Sequence, residues 1–352
     1  MRRRNLLIML FLAVATLALS VPVAQDALAK DDNRLCSVPL APASAGTDDK
    51  AYARIEPAEI SSPSEDYVTP ATDANQAKPL VATELYIKQP PTLSEIEVSW
   101  LWQLTTGSHE TTVAVLDTGI DQDHEELDGQ VIAETNFSNS FTPSDIHGHG
   151  THVAGIIAAK DNGLGIIGVA PGCLLLNVKV ADDTGMCPAL ALARGIMWAV
   201  DSGANVINIS IEIREPSPEL ERAVNYAWSQ GCLIIAAAGN HGSESPTYPA
   251  CYENCLAVAA AGPDNNLAPL SNFGDWVDVI APGLNIYSTL PDNDYGYKSG
   301  TSFACAYVSG IGALLFDVVT DANGNDRLND EVRAIIESGC QEIDLTGVVS
   351  TP

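Results

Sequence analysis

Four short motifs carry the side chains that acyl transfer needs. Asp117 follows an apolar run, His149 stands in a His-Gly-Thr-His sequence, Asn240 follows Ala-Gly, and Ser302 follows Gly-Thr. A hydroxyl can act as a nucleophile when an imidazole accepts its proton and a carboxylate orients that imidazole. An amide N–H can then stabilise the oxyanion that forms. Each residue alone would be an ordinary turn, loop or capping residue, but the four together predict nucleophilic catalysis.

The segments that must position these residues alternate between strand-like and helix-like patterns. Short apolar runs predict strands that are buried on both faces, and they cover 112–116, 174–180, 205–211, 232–237 and 255–260. Helical patterns lie between most of these runs, which indicates parallel strands joined by right-handed crossovers. We therefore predict an α/β fold, a three-layer sandwich whose mostly parallel central sheet carries helices on both faces.

Two of the helices have clear sequence signals. Ser217-Pro218-Glu219 predicts a helix start, because a capping serine precedes a proline at the first helical position. The stretch from Phe303 to Phe316 is apolar on nearly every side, which predicts a helix in the centre of the core. Ser302 would then lie at the amino end of a buried helix, near the positive end of its dipole.

The motifs resemble those of the subtilisin-like serine proteases, from about Leu93 to the last predicted helix. The resemblance rests on Asp117-Thr-Gly-Ile-Asp121, His149-Gly-Thr-His152-Val-Ala-Gly155, Ala238-Gly239-Asn240 and Gly300-Thr301-Ser302. The order Asp, His, Ser along the chain also matches this family.

The resemblance implies a role for each of the four residues. Ser302 would attack the scissile carbonyl, His149 would act as the general base, and Asp117 would orient the imidazole. Asn240 and the backbone N–H of Ser302 would bind the oxyanion. His152, the second histidine of the signature, would pack inside the following helix.

The resemblance also implies two strands that flank the substrate. Ser210, Ile211 and Glu212 would wall the first specificity pocket, and Gly185 would lie on the opposite strand. Binding by strand addition on both sides would make the site broadly directed to peptides. Glu212 departs from the family pattern, which has glycine here. It could select a basic side chain, obstruct the cleft, or point to solvent.

Calcium is the ion that the resemblance implies. Asn162, Leu164 and Ile166 lie in the counterpart of the family's calcium loop, and Glu126 stands where a ligating aspartate is usual. Carboxylate, amide and backbone oxygens suit Ca²⁺. We expect a structural ion of this kind, and no redox or nucleotide cofactor.

The residues after Ser302 also depart from the family pattern. Phe303 replaces a methionine, and Ala306 replaces a proline, which restores a backbone donor inside the helix. Two alternatives therefore stay open. Ala306 suggests a transpeptidase or peptide ligase on the same scaffold, and Glu212 suggests a catalytically silent peptide-binding relative. The complete set of four residues favours a secreted serine endopeptidase that acts through an acyl-enzyme.

The first part of the chain has the features of an exported protein. Arg2 to Arg4, an apolar run from Leu6 to about Leu19, and Ala27-Leu-Ala29 predict a cleaved signal peptide over residues 1–29. An uncleaved anchor is the alternative, although the run is short for a membrane span. Residues 30–80, rich in Asp, Ala, Pro, Ser and Thr, predict a pro-segment or linker. Residues 81–352 would form the catalytic domain.

The composition limits the partners of the protein. The chain has 17 Lys and Arg against 45 Asp and Glu, a net charge of −28, which disfavours nucleic acid and anionic membrane surfaces. We expect polypeptide substrates, a monomer, and no stable membrane association after signal cleavage. The chain has eight cysteines, and we expect at least one disulfide in an exported protein. Thiols inside apolar runs would be buried.

Overall fold

The computed structural model describes residues 6–9, 52–54, 98–263 and 265–343. The strands are β1 (Leu6–Met9), β2 (Tyr52–Arg54), β3 (Thr112–Asp117), β4 (Val131–Asn136), β5 (Leu174–Lys179), β6 (Met186–Pro188), β7 (Val206–Ile209), β8 (Leu233–Ala237), β9 (Cys255–Ala261), β10 (Val279–Pro282), β11 (Ile286–Leu290), β12 (Asp294–Lys298) and β13 (Cys340–Ile343). The helices are α1 (Val98–Leu101), α2 (His149–Ala158), α3 (Ala189–Asp201), α4 (Pro218–Ser229), α5 (Thr301–Val318) and α6 (Asn329–Ser338).

The central sheet has the strand order β13-β1-β10-β9-β8-β7-β3-β5-β4. All neighbours from β1 to β4 pair in parallel, and β13 pairs antiparallel with β1. β11 and β12 form a separate hairpin, and β2 pairs antiparallel with β6. Apart from the backbones of β1 and β2, the predicted signal peptide and pro-segment lie outside the described residues, so their boundaries stay predictions.

Helices cover the central sheet on both faces. Every residue of β3 is buried, and successive side chains point to opposite faces. Val113 and Val115 belong to the apolar cluster that contains α2 and α5, whereas Ala114 and Leu116 belong to the cluster that contains α3 and α4. The prediction of a three-layer α/β sandwich with a mostly parallel sheet is therefore confirmed.

Both helix predictions are confirmed. The Ser217 hydroxyl accepts a hydrogen bond from the backbone N–H of Leu220 at 3.3 Å, and α4 begins at Pro218. α5 is buried from Thr301 to Leu315. By length and composition α5 could cross a membrane, but 89% of it is buried inside the protein. α5 is therefore the central core helix, and it carries Ser302 near its amino end.

Most of the described cysteines are buried thiols, as expected. Cys251 is disulfide-bonded. The free thiols are Cys173, Cys187, Cys232, Cys255, Cys305 and Cys340, of which all but the half-buried Cys340 are buried. Burial raises the pKa of Cys305 to about 12, so this thiol, one turn after Ser302, stays protonated and acts as a packing group.

Candidate active site

The parallel sheet and two helices position the predicted catalytic residues. Two of these residues lie at or just after the carboxyl ends of strands, and the other two lie at the amino ends of helices. Asp117 is the last residue of β3, and Asn240 lies in the loop that follows β8. His149 is the first residue of α2, and Ser302 is the second residue of α5. The carboxyl ends of parallel strands line the usual crevice of an open α/β sheet.

Asp117 and His149 form a buried hydrogen-bonded pair. The distance between His149 Nδ1 and Asp117 Oδ1 is 2.8 Å, and the side chains are 6% and 0% exposed. Because a carboxylate only accepts hydrogen bonds, Nδ1 carries the proton and Nε2 is left as the basic nitrogen. Asp117 Oδ1 also accepts the backbone N–H of Thr118 at 2.7 Å. This is the tautomer that a general base requires.

A second carboxylate, which the sequence analysis missed, fixes the start of α2. Asp145 Oδ1 accepts the backbone N–H of Gly148 at 2.8 Å and the Thr118 hydroxyl at 2.9 Å. Its Oδ2 accepts the backbone N–H of Thr151 at 2.8 Å. Asp145 thereby satisfies free N–H groups at the helix start, and it joins the end of β3 to the helix that carries His149.

Ser302 lies at the buried end of α5, beside the segment that follows β7. Its hydroxyl donates to the carbonyl of Ser210 at 3.3 Å, and the Ser210 hydroxyl donates to the carbonyl of Ser302 at 3.0 Å. The ring of Phe303 lies 5.5 Å from that of His149, measured between centroids. Consecutive residues of α5 therefore contact the predicted substrate strand and the imidazole.

Asn240 is held beside the amino end of α5. Its Oδ1 accepts the backbone N–H of Thr301 at 2.8 Å and the Thr301 hydroxyl at 3.1 Å. Since the oxygen is used in this way, the Nδ2 group remains as a donor. The structure therefore brings an amide donor to the residue that precedes Ser302.

The other two histidines of the motif are in different environments. His152 Nε2 lies 3.2 Å from the carbonyl of Gly296, and its ring lies 4.6 Å from that of Phe303. Burial lowers the pKa of His152 to about 3. Burial also lowers the pKa of His147. The prediction that His152 packs inside the helix is confirmed.

Ser210–Glu212 directly follows β7, and Gly185 lies in a bend with a φ of 80° just before β6, so substrate binding by these two segments stays a prediction. Ile213, after Ser210-Ile211-Glu212, forms an antiparallel bridge with Tyr248. Gly185 immediately precedes β6, whose edge pairs antiparallel with β2. The side chain of Glu212 is 13% exposed, so the alternative that it points to solvent is wrong.

The side chains of the predicted calcium site do not fit the ion in this arrangement. Glu126 Oε1 accepts the Ile166 N–H at 3.0 Å and the Tyr295 hydroxyl at 2.9 Å, so donors stand where a cation would have to be. Asn162 Oδ1 accepts the backbone N–H of Leu164. The side chain of Leu164 is exposed. Of the side-chain oxygens of Glu126 and Asn162, only Glu126 Oε2 is buried without a partner among the described residues, whereas Ca²⁺ takes six to eight oxygens. Calcium binding stays an untested prediction, and no step below depends on it.

Comparison with known proteins agrees with this geometry. The sequence profile described as "Subtilase family" matches residues 108–341. The chain is 45% identical over 250 residues to "Thermophilic serine proteinase" from Bacillus sp. (strain AK1), which is 70% of this chain and 61% of the relative. It is 40% identical over 255 residues to "Thermitase" from Thermoactinomyces vulgaris, covering 72% of this chain and 88% of the relative. It is 44% identical over 208 residues to "Subtilisin Savinase" from Lederbergia lenta, covering 58% and 75%. By sequence and by fold, this chain belongs to the subtilase family.

Proposed function

We propose that this chain is a secreted serine endopeptidase that hydrolyses peptide bonds through an acyl-enzyme. The observation that carries the proposal is the buried Asp117–His149 contact of 2.8 Å, which lies next to the end of α5 that bears Ser302. A relative that is 45% identical is named "Thermophilic serine proteinase", and two others, at 40% and 44% identity, are named "Thermitase" and "Subtilisin Savinase". Export rests on the predicted signal peptide over residues 1–29.

In the proposed reaction, the Ser302 hydroxyl attacks the scissile carbonyl and His149 Nε2 accepts its proton. The buried Asp117 carboxylate stabilises the imidazolium that forms. His149 then donates the proton to the leaving amine, which frees the first product. A water molecule, activated by the same imidazole, cleaves the ester on Ser302 and restores the enzyme.

The oxyanion of each tetrahedral intermediate would be bound by Asn240 Nδ2 and by the backbone N–H of Ser302. Asn240 is preorganised for this role, because its oxygen is already held by Thr301. Loss of such a donor lowers turnover about 10²–10³-fold, a magnitude known from this family rather than inferred from this chain. The positive end of α5 adds to the stabilisation of the negative charge.

Polypeptides are the proposed substrates, bound in extended form between Ser210–Glu212 and the segment from Gly185 to β6. The β6 edge supports this proposal, since its backbone pairs with an extended segment of the same chain, β2. Strand pairing of this kind binds the main chain of the peptide and leaves specificity to the side-chain pockets.

Labelling with a fluorophosphonate, together with casein hydrolysis, tests the proposal. Wild-type protein should be labelled and should cleave casein, whereas Ser302→Ala should lose both properties. Ser338→Ala is the matched control, because Ser338 lies on the exposed side of α6 and its hydroxyl donates to the carbonyl of Ile335 in the same helix. Labelling that persists in Ser302→Ala, or a wild-type protein that is not labelled, would overturn the proposed mechanism.

Labelling also addresses the alternatives, because a silent peptide-binding relative would not react. Peptide ligation stays a prediction. It is separated from hydrolysis by adding an amine nucleophile to an ester substrate and measuring the ratio of aminolysis to hydrolysis products. Hydrolysis as the main outcome is expected in wild-type protein.

A further inference from the structure

Glu212 places an enclosed carboxylate beside the proposed reaction centre. It follows Ser210, whose carbonyl accepts the Ser302 hydroxyl, and it precedes the buried Ile213. The Glu212 side chain is 13% exposed. Because an enclosed carboxylate is costly unless its oxygens are paired, the contacts of the two oxygens decide what this side chain can do.

The loop after β8 makes room for the carboxylate. A Cβ atom added to Gly239 would lie 1.9 Å from Glu212 Oε2, so the carboxylate occupies the space where any other residue type would place a side chain. Gly239 directly precedes Asn240. The carboxylate therefore lies against the backbone that holds the proposed oxyanion donor.

Among the residues that the structure describes, one oxygen of Glu212 has a partner and the other has none. Oε1 contacts His241 Nε2, and the backbone N–H of His241 is fixed by Asn272 Oδ1 at 3.0 Å. Oε2 is buried and makes no hydrogen bond within the described part of the chain. The nearby Arg214 guanidinium lies 3.5 Å from His241 Nε2, and it makes no ion pair with Glu212 among the described residues.

We propose that Glu212 selects substrates with lysine or arginine at P1, the residue whose carbonyl is attacked. This inference deepens the proposed endopeptidase function and rests on it. A basic P1 side chain would donate to Oε2, while His241 keeps its contact with Oε1. The substrate would thus complete the pairing of a carboxylate that the protein leaves half-satisfied.

The same contacts distinguish selection from simple obstruction. An apolar P1 side chain would cover Oε2 and leave it buried without a partner. The cost of that unpaired oxygen lowers kcat/KM for such a substrate. An acidic P1 side chain would meet a like charge. Arg214 is exposed and contacts His241, and it makes no ion pair with Glu212 among the described residues.

The test uses tetrapeptide p-nitroanilides that are identical except at P1, with Arg, Lys, Leu or Glu. In wild-type protein, kcat/KM for the Arg and Lys substrates should exceed that for Leu at least tenfold, and the Glu substrate should be the poorest. Glu212→Gln keeps the shape of the side chain but removes its charge. It should lower the ratio of kcat/KM for the Arg substrate to that for the Leu substrate about 10–100-fold, because hydrogen bonds to a charged group are stronger than those between neutral groups. Glu219→Gln, on the exposed start of α4, is the matched control and should leave the ratio unchanged.

A wild-type preference for Leu would overturn the inference, and so would a Glu212→Gln variant that changes kcat/KM for all four substrates by one common factor. The second outcome would identify Glu212 as an obstruction or as a structural support. Fluorophosphonate labelling of the same preparations separates the two proposals. A labelled protein with an unchanged ratio overturns only the specificity, whereas an unlabelled wild type overturns the endopeptidase itself.

Discussion

His152 shares α2 with the proposed base His149, but its surroundings keep it neutral. It is fully buried, contacts the ring of Phe303, and lies within hydrogen-bond distance of the carbonyl of Gly296. Desolvation disfavours the charged imidazolium, which lowers its pKa from 6.5 to about 3. This histidine is therefore a packing group whose protonation is coupled to unfolding.

Between pH 6.5 and about 3, the unfolded chain binds a proton at His152 that the folded chain excludes. The free energy of unfolding must therefore decrease as the pH falls through this window, and His152 has no such effect above it. By pH 5 the loss from this residue should be about 2 kcal/mol. Urea unfolding at pH 7.5 and at pH 5.0 measures the difference in the free energy of unfolding. The protein used carries Ser302→Ala, which prevents self-digestion. Adding His152→Gln should remove that part of the pH dependence, and an identical dependence in both proteins would contradict the prediction.

Single residues differ in how far the sequence could predict them. Asp117 and His149 could be predicted because short motifs mark the ends of their elements, and the structure joins them. Asp145 lies in a loop without a distinctive pattern, and its role depends partly on the Thr118 hydroxyl, which reaches it only in the fold. For Glu212, the sequence left three alternatives, because the space beside Gly239 and the contact with His241 are tertiary features.

At the scale of elements, the position of α5 depends on close packing at one glycine. A Cβ atom on Gly310 would lie 2.5 Å from Val169 Cβ, which is closer than two non-bonded carbon atoms can approach each other. Two residues later, a Cβ atom on Gly312 would make ordinary contacts of 3.4–3.5 Å with Ile235, Leu233 and Val206. The two glycines share one helix and differ only in the space around them.

Gly310→Ala should destabilise the protein by about 1–3 kcal/mol, because overpacking outweighs the better helix propensity of alanine. Gly312→Ala should be neutral or stabilising by up to about 1 kcal/mol, since alanine restricts the unfolded chain without a clash. Thermal unfolding of both variants in the Ser302→Ala background measures the difference. Equal stabilities would show that α5 can move away from Val169.

Several fully buried strands could be predicted, whereas the partly exposed β4 and the β11–β12 hairpin could not, and the buried strand β10 was also missed. β3, β8 and β9 read as continuous apolar runs because both of their faces are covered. The β11–β12 hairpin was missed, because β12 is partly exposed and polar and is held by tyrosine contacts, such as Tyr287 on Tyr297 at 4.8 Å between centroids. Its signal was neither a long apolar run nor a clean alternation.

At the scale of the whole molecule, the crossover topology brings distant segments to one place. β3 pairs with β5 and β7, so that Asp117 ends the third strand from the β4 edge of the sheet, and α5 packs against the same face as Val113 and Val115. The alternation of strands and helices predicted this architecture, since right-handed crossovers leave few possible arrangements. The strand order itself was not predicted, because apolar runs of similar composition do not specify their neighbours.

The large negative charge of the chain should make its stability depend on salt. With 45 acidic and 17 basic residues, like charges repel each other in the compact state more than in the expanded unfolded chain. Raising the ionic strength from about 0.02 to 0.5 M shortens the screening length and weakens this repulsion. The midpoint of thermal unfolding of Ser302→Ala should therefore rise by about 3–6 °C.

Choline chloride is the control for this salt effect. It should raise the midpoint as much as sodium chloride does, because screening does not depend on the identity of the cation. A rise with sodium alone would contradict general screening and would indicate a specific ion, and calcium chloride at matched ionic strength tests the calcium prediction in the same experiment.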